Sequence, residues 1–185
     1  MKSKGSFFRT FLLVLNLFSF VLLGRATTIS WNNPSGGVWN DAVNWSPAQV
    51  PGASDIAQIV LDGTYTVTLN GNVSLDGLIL GAASGTQTLL NSSSTLTLNA
   101  VSSVGANGVF EMGGGILNGS VAMSVSGIIN WTGGQFSGVG AIDVLSGGLL
   151  AISGTSNKSF NSAFTINNGG LITWSGDGNL QASSG

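Results

Sequence analysis

Between residues 108 and 180, large apolar side chains alternate with small or polar ones in short bursts, and each burst opens on glycine. Four bursts repeat one phrase: Gly108-Val-Phe-Glu-Met-Gly, Gly127-Ile-Ile-Asn-Trp-Thr-Gly, Gly148-Leu-Leu-Ala-Ile-Ser-Gly and Gly170-Leu-Ile-Thr-Trp-Ser-Gly. The leading glycines stand 19, 21 and 22 residues apart. The third and fifth positions are large and apolar: Phe110/Met112, Ile129/Trp131, Leu150/Ile152 and Ile172/Trp174. The residue between them is Glu111, Asn130, Ala151 or Thr173. Alternation with a period of two places the apolar pair on one face of a strand. The first position, Val109, Ile128, Leu149 or Leu171, is apolar as well, which alternation does not account for. A bend at the preceding glycine is expected to turn it inward.

A second phrase precedes the last three copies: Met123-Ser-Val125, Ile142-Asp-Val144 and Phe164-Thr-Ile166. Each repeat therefore holds at least two short strands separated by turns. A near-constant period of this size in a Gly-rich, strand-forming sequence marks a solenoid. Equivalent residues one coil apart would then stand about 4.8 Å from each other. The expected fold is all-β, a right-handed parallel β-helix with a Trp-rich N-terminal cap, following a cleaved signal peptide. Further strands are expected at Ile56–Leu61, Thr64–Asn70, Val73–Leu80 (around Asp76-Gly77), Thr86–Leu90 and Thr95–Asn99, with turn-forming Gly, Asn, Ser or Asp between them. Residues 61–185 give roughly six coils, a rod on the order of 28 Å long at the strand spacing.

Residues 27–60 break the pattern. Trp31, Trp39 and Trp45 lie among the chain's three prolines, Pro34, Pro47 and Pro51. The combination of Trp31, Trp39-Asn40, Asn44-Trp45, Pro51, Asp55, Ala57 and Ile59 resembles the N-terminal segment of large secreted bacterial β-helix proteins. These carry autotransporter-associated strand repeats or related adhesin-like Gly-rich arrays. The downstream repeats are similar to those arrays too. The resemblance implies a secreted or surface architecture and no particular activity. Physically, an uncovered β-helix end exposes free strand edges and an open core. Residues 27–60 are therefore expected to form a compact cap, with Trp31, Trp39, Asn44, Trp45, Pro51 and Asp55 as its key residues. Asp41 and Asn44 suit its turns. The alternative for these tryptophans is an exposed platform that stacks on sugar rings.

Residues 1–26 read as a secretory signal peptide. Lys2, Lys4 and Arg9 make a basic start, an apolar run spans residues 11–23, and Gly24-Arg25-Ala26 offers a cleavage site. The run is shorter than the ~20 residues of a membrane span. Cleavage removes four of the five basic residues, leaving Lys158 against seven carboxylates, a net charge of −6. No membrane insertion is expected after cleavage. A surface so poor in cations also argues against nucleic acid, phosphates and anionic lipids. Charged residues make up 6% of the chain, against about 25% in typical domains.

Catalytic chemistry finds few supports. There is no His and no Cys, so Ser-His-Asp and Cys-His triads and thiolate zinc sites are excluded. Asp62 and Asp76, less than one coil apart, each precede a glycine and read as turns. Asp143 and Asp177 match neither the Gly/Asp calcium nonapeptide nor the EF-hand spacing. No catalytic, cofactor-binding or metal site is expected, and no enzyme. Trp131 and Trp174 fall in one column of the repeat, where they either pack inward or form an exposed pair gripping a polysaccharide. Asn72, Asn91, Asn118, Asn130 and Asn157 open tripeptides that match glycosylation acceptors. The expected function is a secreted or cell-surface structural or adhesive solenoid, with extracellular polysaccharide or other surface glycans as partners. The alternatives are a Trp-based carbohydrate-binding module and the N-terminal part of a polysaccharide-degrading β-helix enzyme. The chain ends just after a repeat phrase, so further repeats are expected beyond it.

Overall fold

The structure is a computed structural model that describes residues 26–161 and 163–183; the expected signal peptide falls almost wholly outside them. The chain is all-β, wound as a parallel β-solenoid. Three elements come first: β1 (Thr27–Trp31), β2 (Gly37–Val38) and, after a single 3-10 turn at Ala42–Asn44, β3 (Trp45–Ser46). Six three-strand coils follow. The first is β4 (Asp55–Ile59), β5 (Gly63–Thr68) and β6 (Val73–Leu75). The second is β7 (Gly77–Leu80), β8 (Gly85–Asn91) and β9 (Thr95–Leu98). The third is β10 (Ser102–Val104), β11 (Gly108–Met112) and β12 (Ile116–Gly119). The fourth is β13 (Ala122–Val125), β14 (Ile128–Trp131) and β15 (Gly134–Gly138). The fifth is β16 (Ala141–Val144), β17 (Leu149–Ile152) and β18 (Lys158–Asn161), and the sixth β19 (Thr165–Asn168), β20 (Leu171–Trp174) and β21 (Leu180–Ser183). The first coil opens at Asp55, inside the segment expected to be cap alone.

Each strand pairs with its equivalents in the coils before and after, not with its sequence neighbours. This sorts the strands into three sheets. Sheet A runs β3-β1-β4-β7-β10-β13-β16-β19, sheet B β2-β5-β8-β11-β14-β17-β20, and sheet C β6-β9-β12-β15-β18-β21. All pairs are parallel except β1 with β3. Parallel strands need long connections, and here the remaining two sides of the coil supply them.

Register builds the core as columns. In sheet B, Val67, Leu89, Phe110, Ile129, Leu150 and Ile172 stack one above another. From Val67 to Leu150 all are buried. The next inward column is Asn91, Met112, Trp131, Ile152 and Trp174. Sheet A contributes Ile59, Leu80, Val104, Val125 and Val144. Sheet C contributes Val73, Leu96, Leu117 and Phe136. Burying each such side chain contributes roughly 1.5–3 kcal/mol. Trp131 stacks on Phe136 at 4.1 Å, and Phe136 on Phe164 at 5.4 Å, so rings from three sides meet at the axis.

Two expectations need correction. Val109, Ile128, Leu149 and Leu171 do not turn inward. They form an outward column, half-buried in the third, fourth and fifth coils and exposed at Leu171 in the sixth. The strand keeps its alternation through this position, and neighbouring coils shelter the side chains on two sides. The second phrase was also misaligned in its last copy. Ile166, not Phe164, lies opposite Ile142, with Asn168 opposite Val144. A two-residue shift preserves the inward face, so alternation alone could not expose it. Phe164 precedes the strand and fills the corner against Phe136.

From β8 onward, the glycine at the start of each sheet-B strand allows close approach between coils. A Cβ on Gly127 would collide with the carbonyl oxygens of Gly105 and Gly108. Three substitutions test the register by urea unfolding. Phe110→Ala is expected to cost about 3–5 kcal/mol, and Gly127→Ala about 1–3 kcal/mol through backbone displacement. Val109→Ala, one residue from Phe110, is expected to cost no more than about 1 kcal/mol.

Candidate functional site

Of the residues expected to act as a cap, Trp31, Trp39, Asn44 and Trp45 come together around β1 and β3, whereas Asp55 opens β4 opposite Thr27, at the other end of β1 from Trp31. Trp31 and Trp45 are register partners across the antiparallel pair. Their rings meet edge to face at 5.0 Å and 88°, and Trp39 meets Trp45 at 4.7 Å and 66°. All three are buried, the most exposed at 2%. Edge-to-face contact sets the positive ring edge against a neighbour's negative face. Trp31 Nε1 donates to the Asn33 carbonyl at 2.6 Å and Trp45 Nε1 to the Trp39 carbonyl at 2.8 Å. Trp39 Nε1 has no partner among the described residues. None of the three offers a ring face to solvent, so they cannot form a sugar platform as they stand.

Asn44 ties the segment together. Its Oδ1 accepts from Asn33 Nδ2 at 2.9 Å, and its Nδ2 donates to the Val38 carbonyl at 3.0 Å. Its backbone carbonyl accepts from Asn32 N at 2.7 Å. Asp41 caps the 3-10 turn, accepting from Val43 N at 3.2 Å. Pro51 is buried, and Asp55 closes its own turn by accepting from Gly52 N at 2.9 Å. Each carboxylate or amide here is held by backbone or, between Asn33 and Asn44, by another amide.

The other acids are also placed by turns and ladders. Asp62 accepts from Ser84 N at 2.9 Å. Asp76 occupies the corner between β6 and β7. Glu111 accepts from Asn130 Nδ2 at 2.6 Å, one coil along an outward column. Asp143 faces outward between inward Ile142 and Val144 and accepts from Asn167 Nδ2 at 2.7 Å. Asp177 lies in the turn between β20 and β21, on a different side of the coil from Asp143. Among the described residues no three His, Cys, Asp or Glu side chains gather as a metal site. No helix there is long and apolar enough to cross a membrane.

Trp131 and Trp174 share an inward column with Ile152 between them. Trp131 is 0% exposed, so the pair cannot grip a polysaccharide together; Trp174 is 57% exposed. The difference comes from position alone. Trp131 has two further coils above it, whereas Trp174 stands on the last. A cavity of about 10 Å³ between sheets C and A, lined by Leu98, Ser102, Leu117, Met123 and Phe164 among others, has room for about one water. Ligand pockets are usually roughly 300 Å³ or more.

What the structure offers a partner is flat sheet. On sheet C one outward column runs Ser74, Thr97, Asn118 and Ser137. A second runs Thr95, Ile116, Gln135, Ser159 and Gln181. Neither holds a charged residue. Of the five glycosylation-like asparagines, Asn91 is fully buried and its Oδ1 accepts from Ser94 N at 2.9 Å, so it cannot be an acceptor.

Four buried polar groups were not foreseen. Gln87 points inward from the start of β8 and reaches back to the corner before that strand. It accepts from Ala82 N and donates to the carbonyls of Gly63 and Ser84 at 2.6 and 2.9 Å. Asn91 does similar work at the next corner. Tyr65 donates to the Leu61 carbonyl at 3.0 Å, and its pKa is pushed up to about 12, chiefly by burial, with the Asp62 carboxylate adding to the shift. Lys158 is 1% exposed and donates to the Ser156 carbonyl at 2.7 Å, and burial lowers its pKa. Nothing in the apolar and polar alternation of β8 marks Gln87 or Asn91 as buried.

These two ionisable groups predict opposite pH effects. Lys158 titrates lower folded than its usual 10.5, so the unfolded chain binds the proton more tightly and stability rises with pH below that value. Lys158→Met should flatten this slope and raise the unfolding midpoint at neutral pH. Tyr65 titrates higher folded than its usual 10.0, so its contribution is full below 10 and is lost as pH climbs through about 12. It is the chain's one tyrosine. Phenolate absorbance should therefore titrate near 12 in the folded protein and near 10 in denaturant.

Comparison of the chain with known protein families, with curated proteins and with solved structures finds no match to it.

Proposed function

We propose that the chain is a secreted or cell-surface structural solenoid, non-catalytic and adhesive, like the autotransporter-associated strand-repeat and adhesin-like proteins its sequence resembles. The uncharged outer face of sheet C makes weak, repeated contact with neutral extracellular polysaccharide or surface glycans. The outward face of sheet C carries this reading. Amides and hydroxyls recur at the strand spacing of about 4.8 Å along the Ser74–Ser137 column and, apart from Ile116, along the Thr95–Gln181 column, with no charge in either. Individually such hydrogen bonds are worth about 1 kcal/mol. Repetition along a polymer raises the effective affinity without any deep pocket.

Secretion is supported by the basic start and apolar run of residues 1–26. The non-catalytic reading rests on the lack of His and Cys and on carboxylates held in turns and ladders. The buried tryptophans suit a cap that protects the first coil better than a binding platform.

Retention on an insoluble neutral glucan, compared with pectate or alginate, tests the reading. The chain should be retained on the neutral polymer and stay bound at raised salt, because no charge is involved. Asn118→Asp combined with Gln135→Glu should cut retention about ten-fold, equivalent to about 1.4 kcal/mol of summed contact. Salt-sensitive binding, or full retention by the double variant, would overturn the glycan reading. Release of soluble sugar from pectin or alginate by the purified chain would overturn its non-catalytic part.

A further inference from the structure

Asparagine followed by glycine is a step at which a chain can modify itself. The glycine nitrogen attacks the asparagine side-chain carbonyl carbon, and no side chain on the glycine shields that nitrogen or restricts its backbone. The chain has four such steps: Asn70-Gly71, Asn107-Gly108, Asn118-Gly119 and Asn168-Gly169. They are equivalent in sequence, and the fold makes them unequal. A nitrogen already donating a hydrogen bond must break it before it can attack. Gly108 N donates to the Gly105 carbonyl at 2.8 Å, and Gly169 N to the Val144 carbonyl at 2.7 Å. Gly119 lies within β12, paired with Leu98 on one side and Gly138 on the other. Gly71 is the exception. It sits in the corner between β5 and β6, and its N–H has no acceptor among the described residues.

The side chains differ in the same sense. Attack needs a carbonyl oxygen that can take up negative charge and an amide nitrogen free to leave. Asn70 is exposed, and its Oδ1 accepts from Asn40 N at 3.0 Å. A backbone donor aimed at that oxygen stabilises the charge that develops on it. Its Nδ2 is held by nothing among the described residues. At Asn107 the leaving group is tied down, because Nδ2 donates to the Ala82 carbonyl at 3.0 Å. Asn168 has a donor on its Oδ1, Gly170 N at 3.1 Å, but lacks the free glycine nitrogen.

We propose that Asn70 is a self-modification site, converted by water to aspartate and isoaspartate through a cyclic imide with Gly71. Hydroxide takes the Gly71 amide proton, and the nitrogen bonds to Asn70 Cγ. The Cγ–Nδ2 bond breaks, and Nδ2 leaves as ammonia with a proton from water, which restores the hydroxide. Water then opens the imide at either carbonyl. It is the sole co-reactant, and nothing is oxidised or reduced. The position gives the conversion a structural consequence. Asn40 N bonds the corner at Asn70, and beside it Trp39 N donates to the Thr68 carbonyl at 2.9 Å. Aspartate keeps an oxygen for Asn40 N. Isoaspartate runs the backbone through the side-chain carbon and lengthens the corner. The joint between the tryptophan segment and the first coil is therefore where the fold ages first.

Incubation of the full chain at mildly alkaline pH tests the site. Samples are digested over time and mapped by mass spectrometry, with isoaspartate labelled by an isoaspartyl methyltransferase. Asn70 should convert at least about ten-fold faster than Asn107, Asn118 or Asn168, equivalent to about 1.4 kcal/mol for the hydrogen bond those sites must first break. In denaturant the Asn-Gly steps should convert at similar rates. Asn70→Gln should abolish conversion at this position with an unchanged far-ultraviolet spectrum, because the longer side chain closes the imide ring poorly. An Asn70 that converts no faster than the others in the folded chain would overturn the proposal. A preference for Asn70 that persists in denaturant would also overturn it, by placing the cause in local sequence and not in the fold.

Discussion

Every strand inside the three sheets takes its backbone hydrogen bonds from the strands of the coils on either side, and the rest follows from this constraint. Buried backbone groups must be paired, and here each pairing fixes which residue stands above which. Phe110 lies over Leu89 and under Ile129 because Glu111 is paired with Leu90 and Asn130. Columns, not contacts scattered through a core, are therefore the unit of packing. The same constraint explains the corners. Where strands stop, carbonyls and amides lose their inter-coil partners, and Gln87, Asn91 and Asp62 supply them from side chains. Polar residues are buried at those places because the backbone needs them there.

The sheet-B strands were legible because each puts two large apolar residues two apart behind a glycine. The register of Phe110, Ile129, Leu150 and Ile172 could be read from sequence and recurs in the pairing. Sheet C from the third coil onward was hidden for the converse reason. Its strands carry glycine at Gly119, Gly134 and Gly138 and often a single large inward residue, such as Leu117 or Phe136. One apolar residue makes no period. β10 was hidden because Ser102, not an aliphatic, occupies its inward position, where its hydroxyl accepts from Leu78 N at 3.0 Å. Alternation reports which side a residue faces, but it cannot distinguish a polar side chain turned inward to satisfy backbone from one turned out to water. Lys158 and Gln87 were unreadable on that account.

The tryptophan segment was legible as a unit and opaque in its chemistry. Composition set Trp31, Trp39 and Trp45 apart from the repeats, yet an aromatic cluster packs inward or stacks on sugar with equal ease. The decision lies in the asparagines. Asn44 and Asn33 bond each other and the carbonyls of Val38 and Gly36, which folds the loop over the rings. Trp131 and Trp174 teach the same lesson from the other direction. They occupy equivalent positions in the repeat, and only the number of coils above them makes one a core residue and the other a surface.

Columns of this kind also decide which changes of length the fold accepts. The upper and lower surfaces of an interior coil present nearly the same inward residues, so a whole coil can be duplicated or lost and its neighbours still meet a matching surface. Loss of one residue inside a strand has the opposite result. Everything beyond it in that strand swaps core for solvent. Evolution along such a chain therefore moves most freely in steps of a full turn, and the smallest deletions are the most damaging.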